Sequence, residues 1–398
     1  MKSNILPLKL FFLIIKRFIS SRWHLLLVLM LVYIFSAAEA FAQKPTVERE
    51  NGAIKITKLA EGLDHPWALA FLPDNRLLIT ERSGALKIMD TANNISTPIQ
   101  GTPEVLAKGQ GGLMDVALDP DFSQNKYVYL SFAEPGPDST ASTALGRGKL
   151  QDDRLVNFEV IFKMEPKIKG PNHFGNRIVF TPEGQLLFTL ADRFQFDPAQ
   201  DNSNHMGTIV RINTDGTVPA DNPFVGDNNA LDEIWSYGHR NIESAAIDPQ
   251  TGKLWIAEMG PMGGDELNQP EAGKNYGWPL VSWGRNYDGS DIPNPNTRPD
   301  LEDAVIVWTP TISPSGMIFY NGDLFPEWNG HAIIGGLTSS GIVIVEIKDG
   351  NAKEVERIPV AARIRDVAQG PDGAVYLITD DDNGMVLKLD KIDKGSRK

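Results

Sequence analysis

Val179-Phe180-Thr181-Pro182-Glu183-Gly184-Gln185-Leu186-Leu187-Phe188 is the clearest copy of the pattern that decides the fold. Two apolar stretches are joined by a Pro-Glu-Gly turn, in which proline presets φ and glycine supplies positive φ, so the strands fold back antiparallel. Related sequences recur at residues 70–80, 116–122, 246–256, 317–323 and 367–377. Their mean spacing of about 60 residues accommodates a four-stranded blade and a loop. The pattern predicts an all-β chain, a six-bladed β-propeller of four-stranded antiparallel blades.

Composition restricts the kinds of partner and chemistry. The 398 residues carry a net charge of −13 and include no cysteine. An acidic chain repels phosphate backbones, so we expect no nucleic-acid partner. Without cysteine there are no disulfides, thiolate metal sites or cysteine nucleophiles. Any metal must therefore be held by oxygen atoms or by some of the six histidines.

The N-terminus has the features of a secretory signal peptide. Basic residues precede an apolar run from Leu25 to Ala37, and two Ala-x-Ala sequences follow within residues 38–42. The alternative is an uncleaved membrane anchor, but this run is shorter than the roughly 20 residues needed to span a bilayer. We therefore predict a cleaved signal peptide at residues 1–42. The remaining residues, 43–398, would form a single catalytic propeller domain, periplasmic or secreted, with no membrane attachment.

Four polar patches lie next to the predicted inner strands: 109–115, 171–177, 237–241 with 258–268, and 363–366. Because they occur at the same phase of the repeat, the propeller should bring them together at one end of its channel. Histidine suits proton transfer, exposed carbonyls beside carboxylates suit Ca²⁺, and paired arginines can bind an anion. Taken singly, each patch has a structural alternative: a flexible turn, a hydrogen-bonded histidine, an acidic turn, or arginines capping surface carboxylates.

Together the patches closely resemble the soluble quinoprotein glucose/sorbosone dehydrogenases, particularly the aldose sugar dehydrogenase branch. The resemblance extends in order from about residue 57 to residue 390. It is carried by His65–Ala68, Gly109–Leu113, Gly238–Asn241, Gly260–Asn268, Asn275–Pro279 and Arg363–Asp366. Members of that family are six-bladed propellers, in agreement with the repeat count.

The resemblance implies a site that holds pyrroloquinoline quinone (PQQ) and Ca²⁺. His173 would be the base that accepts the anomeric proton of a sugar substrate, and Arg240 would stabilise negative charge on the quinone. The carbonyls of Gly260 and Pro261 would bind the catalytic Ca²⁺, and Glu266 with the Tyr276 carbonyl match a second, structural Ca²⁺ site. The implied cofactor contacts are Gln110, Arg240, Asn241, Thr338, Arg363 and Arg365, the last two pairing with cofactor carboxylates. The product would be an aldonolactone, and electrons would pass to an external acceptor.

Some residues depart from the family pattern. Thr338 stands where the family has a cofactor-binding lysine, and Glu243 lies within Ile-Glu-Ser in place of the usual Pro-Gln-Gly. Asn172 replaces an acidic residue, and Met259 replaces a common histidine. Thr338 and Glu243 favour one alternative, a cofactor-free propeller that binds a glycan or a protein. A second alternative, a Ca²⁺-dependent lactonase, would need Glu, Asn and Asp side chains facing a metal around the channel.

Overall fold

The computed structural model describes residues 46–392, and the predicted signal peptide at 1–42 lies outside them. Among the described residues, no helix is long and apolar enough to cross a membrane. The helical elements there are one α-helical turn, Phe122–Asn125, and four 3₁₀ turns, Pro137–Ser139, Asp197–Gln200, Pro295–Thr297 and Pro326–Trp328.

The rest of the regular structure within 46–392 consists of six antiparallel sheets, which form the blades of a β-propeller. The chain begins with β1 (Thr46–Val47) and β2 (Ala53–Leu63). Blade 1 contains β3 (Pro66–Phe71), β4 (Leu77–Glu81) and β5 (Leu86–Met89). Blade 2 contains β6 (Leu113–Leu118), β7 (Tyr127–Pro135), β8 (Ala141–Gln151) and β9 (Arg154–Lys163). Blade 3 contains β10 (Gly175–Phe180), β11 (Leu186–Leu190), β12 (Thr208–Ile212) and β13 (Ile234–Tyr237).

The second half of the chain repeats this arrangement. Blade 4 contains β14 (Ile242–Ile247), β15 (Leu254–Glu258), β16 (Asp265–Asn268) and β17 (Ile306–Trp308). Blade 5 contains β18 (Pro314–Phe319), β19 (Ala332–Gly336), β20 (Gly341–Lys348) and β21 (Asn351–Pro359). Blade 6 contains β22 (Ile364–Gln369), β23 (Val375–Thr379) and β24 (Gly384–Ile392). The predicted six-bladed propeller is confirmed, and each copy of the sequence repeat begins in the first strand of a blade.

The ring is closed by the beginning of the described chain. β2 pairs antiparallel with β24, with Ile56 opposite Leu389, and β1 adds a short edge strand outside it. Blade 6 therefore combines both ends of the propeller domain in one sheet. Unfolding either end must break this sheet.

Blade 1 has three regular strands because its fourth position is interrupted. Ser96 and Ile99 donate backbone hydrogen bonds to Ile88 and Leu86 of β5, and Ile95 forms an isolated bridge with Met89. Pro98 lies within this segment and has no N–H to continue the ladder. The segment follows the edge of the blade without becoming a full strand.

The core lies between the blades. Among the described residues, each of six hydrophobic clusters joins two neighbouring blades, as Leu187 of β11 and Ile256 of β15 do between blades 3 and 4. The channel contains a buried ionic group: Arg177 Nη1 donates to Asp115 Oδ1 at 3.2 Å and to Asp366 Oδ1 at 3.0 Å. Burial raises the pKa of Asp115 to about 6 despite the nearby Arg177. This group ties blades 2, 3 and 6 together below the channel mouth.

Candidate active site at the channel mouth

The topology places the polar patches on one face. The first strands of neighbouring blades, β3, β6, β10, β14, β18 and β22, contact one another in a ring. The beginnings of these strands and the ends of the second strands meet at the same end of the channel, because each pair is antiparallel. A cavity of about 250 Å³ opens there. It is lined by Trp67, Arg82, Gln110, Glu243, Met259, Ser313, Leu337, Arg363, Arg365 and Asp380.

His173 is held by a carboxylate that follows the neighbouring strand β11. Its Nδ1 lies 2.7 Å from Asp192 Oδ1, and Asp192 Oδ2 accepts a 2.8 Å hydrogen bond from Trp278 Nε1. The His173 backbone N–H donates to Gln110 Oε1 at 2.6 Å. His173 has φ of +52°, a left-handed conformation that is strained for a non-glycine residue. These contacts fix the imidazole ring at the mouth.

The environment of His173 favours the neutral imidazole. Burial lowers its pKa below 6.5, the hydrogen bond that His173 donates to Asp192 opposes this, and the positive charge of Arg240 lowers the pKa further. With Nδ1 donating to Asp192, the lone pair is assigned to Nε2. The arrangement can therefore accept a proton at Nε2 near neutral pH.

Arg240 lies just before β14 and is almost fully buried. Its Nη1 donates to the carbonyls of Met259 at 2.7 Å and Gly260 at 2.9 Å, and its Nη2 donates to the Tyr287 hydroxyl at 3.1 Å. Arg240 Nε is buried without a hydrogen-bond partner among the described residues. This buried guanidinium N–H is therefore available to an oxygen atom of a ligand.

Arg365 and Glu243 form a buried ion pair in the wall of the cavity. Arg365 Nη1 donates to Glu243 Oε2 at 2.6 Å, and its Nη2 donates to Asp380 Oδ2 at 3.1 Å. Arg363 Nη2 also donates to Asp380 Oδ2, at 2.9 Å. Burial alone would raise the pKa of Asp380, but Arg365 and Arg363 lower it to about 2. The negative charge of Glu243 is therefore balanced within the protein.

Asn241 and Thr338 are committed to protein contacts. Asn241 Oδ1 accepts a hydrogen bond from the Gly175 backbone N–H, and its Nδ2 donates to Glu243 Oε1 at 3.1 Å. Thr338 is exposed, and its hydroxyl donates to the Thr311 carbonyl and approaches Ser313 Oγ, both at 3.0 Å. Thr338 thus reaches the cavity wall through Ser313 and brings no positive charge.

A second, smaller cavity of about 20 Å³ lies beside Arg240 and is lined in part by Glu258, Gly260, Glu266 and Tyr276. Glu258 and Glu266 are directly opposite each other on β15 and β16, and Asn268 Nδ2 donates to both carboxylates. Burial, with Glu258 nearby, raises the pKa of Glu266 to about 8. The volume suffices for one water molecule or ion.

The carbonyl groups proposed for the catalytic metal lie next to this cavity. The Gly260 carbonyl already accepts from Arg240, but it has a second lone pair. Pro261 is buried, and Gly284 packs so closely that a Cβ there would lie 3.0 Å from Pro261 Cδ. Among residues 46–392, no group of three or more His, Asp or Glu side chains converges on a metal position. Carbonyl oxygens would have to supply part of any cation site.

Aromatic side chains border His173. The Phe194 ring lies 5.0 Å from the imidazole, 5.1 Å from Phe196 and 6.0 Å from Tyr287, measured between centroids. Tyr287 is 57% exposed, which is unusual for a large aromatic residue in this chain. The side of the site next to the proposed base is thus an accessible aromatic wall.

Sequence reasoning missed several residues of this site. Asp192 and Asp380 follow second strands, where they resemble the many acidic residues found in turns. Arg82 follows β4 in blade 1 in the same way. The sequence offered one signal for these residues, their position at the end of a second strand. The end of every second strand reaches the same face as the polar patches. Trp278 was within a quoted motif, but its bond to Asp192 joins residues 86 positions apart.

Comparisons with known proteins find relatives that match most of the chain. A family model described as glucose/sorbosone dehydrogenase matches residues 63–388. Aldose sugar dehydrogenase YliI of Escherichia coli K12 is 43% identical over 343 residues, which cover 84% of this chain and 92% of that protein.

Solved structures extend the similarity to three dimensions. The apo-form of the soluble aldose sugar dehydrogenase from Escherichia coli matches with a TM-score of 0.82 and 42% identity, covering 85% of this chain and 100% of that one. The PQQ-bound form of an aldose sugar dehydrogenase from Streptomyces coelicolor matches with a TM-score of 0.68 and 26% identity, covering 87% and 100%.

Proposed function

Because the chain belongs to the glucose/sorbosone dehydrogenase family and is an oxidoreductase that acts on sugars, we propose that it oxidises aldoses at C1 to aldonolactones, using PQQ and Ca²⁺. The observation that carries this proposal is the pairing of His173 with Asp192 at the channel mouth. It is the arrangement expected of a base that removes the proton of a sugar hydroxyl group.

The cavity suits an anionic, planar cofactor. Its volume of about 250 Å³ is close to the lower end of the roughly 300–1,000 Å³ typical of small-molecule sites. Arg240 Nε and Arg365 Nε are both buried donors without acceptors among the described residues. The indole ring of Trp67, 5.6 Å from the Arg365 guanidinium carbon, adds an aromatic surface. Arg363, Arg365 and Gln110 would hold the cofactor, and Asn241 positions Glu243, the partner of Arg365.

Calcium fits the neighbouring residues. The Gly260 and Pro261 carbonyls would hold the catalytic ion, and Glu266 with the Tyr276 carbonyl would hold a structural one. Opposed carboxylates such as Glu258 and Glu266 repel each other, and a hard divalent cation relieves that repulsion with the oxygen ligands it prefers.

PQQ would supply the hydride acceptor, and Ca²⁺ would polarise its quinone as a Lewis acid. In the residues' part of the reaction, His173 Nε2 accepts the anomeric hydroxyl proton while the C1 hydride departs. Asp192 then stabilises the imidazolium through Nδ1–H, as a carboxylate partner does for a catalytic histidine. Arg240 stabilises negative charge that develops on the acceptor. Phe194 and Tyr287 offer apolar surface to the sugar ring.

We further propose that residues 1–42 are removed on export and that residues 43–398 act in the periplasm or outside the cell. Electrons would leave through an external acceptor. The relatives named as sugar dehydrogenases support sugar oxidation over the two alternatives drawn from the sequence, a lactonase and a cofactor-free binding propeller.

The test is dye-linked oxidation of a panel of aldoses by the purified protein, with PQQ and Ca²⁺ added together, each omitted in turn, and with a chelator. We expect activity only when both are present. Activity that is unchanged without PQQ would refute the proposed cofactor. Absence of activity, together with absence of a PQQ-induced rise in melting temperature, would refute the proposed function.

A further inference from the structure

One basic residue of the mouth has no part in the contacts described so far. Arg82 follows β4 and lines the 250 Å³ cavity. Its backbone N–H donates to the His65 carbonyl at 3.1 Å, and its carbonyl accepts from the Leu113 N–H at 3.2 Å. The main chain of Arg82 is therefore fixed from both sides.

The glycine-rich turn at 109–112 packs against this residue. A Cβ at Gly112 would lie 2.0 Å from the Arg82 carbonyl oxygen and 2.7 Å from Arg82 Cγ, and Gly112 has φ of +150°. Only glycine allows so close an approach without displacing Arg82. The turn thus confines the base of the Arg82 side chain, which reduces the entropy its guanidinium would lose on binding a ligand.

The charges of the cavity are not balanced. Three arginines line it, at positions 82, 363 and 365, against two carboxylates, Glu243 and Asp380. Arg363 and Arg365 are both engaged by those carboxylates. Among the described residues that line the cavity, Arg82 is the one cation whose side chain has no hydrogen bond or ion pair. The excess positive charge of the cavity therefore belongs to Arg82.

We propose that Arg82 binds a carboxylate of the ligand in this cavity and replaces the positive charge that Thr338 does not provide. The identity of the ligand as PQQ rests on the proposed function. A planar guanidinium matches a carboxylate through two parallel hydrogen bonds. Arg363 and Arg365 already pair with carboxylates of the protein, and on Arg365 the Nε N–H is the buried donor left without an acceptor. An incoming carboxylate therefore gains most from the guanidinium of Arg82, which has no such pairing.

The experiment compares Arg82→Gln and Arg82→Lys with wild type by titrating PQQ in the presence of Ca²⁺ and following tryptophan fluorescence, since Trp67 lines the cavity. Arg76→Gln is the matched control, because Arg76 lies in the same blade at the opposite end and pairs with Asp74 and Asp153. We expect the Kd for PQQ to rise about 10- to 100-fold in Arg82→Gln, because a charge-assisted hydrogen bond is lost. In Arg82→Lys the Kd should recover partly. The Kd of Arg76→Gln and the melting temperatures of the unliganded variants should stay at wild-type values.

An Arg82→Gln Kd within twofold of wild type would overturn the role of Arg82 and leave the proposed function standing. An equal loss in Arg76→Gln would also overturn it. Benzene-1,3-dicarboxylate is titrated as a second probe, because it carries carboxylates without a quinone and has no ring nitrogen through which to chelate Ca²⁺. If wild type binds this probe through Arg82 but does not bind PQQ, the carboxylate site stands and the proposed cofactor fails. If wild type binds neither compound, both are overturned.

Discussion

At the scale of single residues, the pairing of His173 with Asp192 determines what the site can do. Burial keeps the imidazole neutral near pH 7, and the hydrogen bond to Asp192 Oδ1 directs its lone pair to Nε2. Trp278 holds the same carboxylate from the other side. In the proposed reaction the histidine is therefore an oriented base, and Asp192 is a positioning residue.

Asp192→Asn should separate the effect of Asp192 on the pKa of His173 from its effect on which ring nitrogen carries the proton. In wild type, kcat/KM is expected to rise with pH as His173 loses its proton and to be constant from about pH 7, because the pKa of His173 lies below 6.5. Asp192 raises that pKa, so its replacement should move the acidic limb to lower pH. The plateau should fall by about 10²–10⁴-fold, because the tautomer is no longer fixed. PQQ affinity should change little.

The measurement is a pH profile of kcat/KM for wild type, Asp192→Asn and the control Asp197→Asn, an exposed carboxylate in the same loop. A wild-type plateau in Asp192→Asn, or an acidic limb that moves to higher pH, would contradict the positioning role. Asp197→Asn should reproduce the wild-type profile.

Residue types could be predicted from the sequence where a motif is continuous, but their partners could not. His173, Arg240 and Arg365 were identified from short patches. The pair Arg365–Glu243 joins residues 122 positions apart, and no local pattern indicates that Glu243 is neutralised. In the sequence, Glu243 favours a propeller without an anionic cofactor. In the structure, Glu243 forms a buried ion pair with Arg365.

At the scale of elements, the hairpin of β15 and β16 places two carboxylates opposite each other. Like charges at directly opposed positions destabilise a sheet, and here Glu258 is also buried and Glu266 partly buried. Burial first, and Glu258 second, raise the pKa of Glu266 to about 8. Such a pair is expected where a cation normally binds.

The stability of the metal-free protein should consequently depend on pH. In the folded state Glu266 keeps its proton up to about pH 8, whereas in the unfolded chain it loses the proton near pH 4.5. The folded state binds more protons between these values, so the free energy of unfolding should fall by a few kcal/mol as the pH rises from 4.5 to 8. Added Ca²⁺ should restore stability at pH 8.

Urea unfolding in chelator at several pH values measures this effect. Glu266→Gln should remove most of the decline and most of the stabilisation by Ca²⁺, while Glu271→Gln, an exposed control, should keep both. A decline of wild-type size in Glu266→Gln would exclude Glu266 as its source.

At the scale of the whole molecule, the buried group of Arg177, Asp115 and Asp366 joins three blades at the centre of the ring. Arg177 Nε also donates to the Glu243 carbonyl of β14 at 2.7 Å, which adds a fourth blade. The hydrophobic clusters join neighbouring blades, whereas this central group, like the Arg365–Glu243 pair, joins blades across the channel.

Arg177→Leu should leave two buried carboxylates without a counter-ion and destabilise the fold by about 3–5 kcal/mol. Arg298→Leu, which removes a solvent-exposed ion pair with Asp300, should lower the free energy of unfolding far less than Arg177→Leu does. Denaturant unfolding of the two variants checks this prediction. Equal losses in both would mean that the central ionic group does not hold the ring together.

The blade count could be predicted from the sequence because a proline-containing turn follows the first strand in five of the six blades, and blade 5 has a degenerate copy, Asn321-Gly322-Asp323. The closure of the ring could not be predicted from the sequence, because β2 lacks that turn and pairs with β24 only where the two ends of the domain meet. The incomplete fourth strand of blade 1 depends on Pro98, whose effect is clear only when the edge it follows is known. Both features depend on which parts of the folded chain meet, and the local sequence repeat does not contain that information.

The most direct test of the central claim is one anaerobic turnover without an external acceptor. Wild type and His173→Gln, each loaded with PQQ and Ca²⁺, are mixed with glucose or with glucose deuterated at C1, and the lactone formed is counted. We expect one lactone per wild-type chain, formed more slowly from deuterated glucose. In His173→Gln the rate of lactone formation should be about 10²–10⁴-fold lower. Lactone formed at the wild-type rate by His173→Gln, or formed without PQQ, would contradict it.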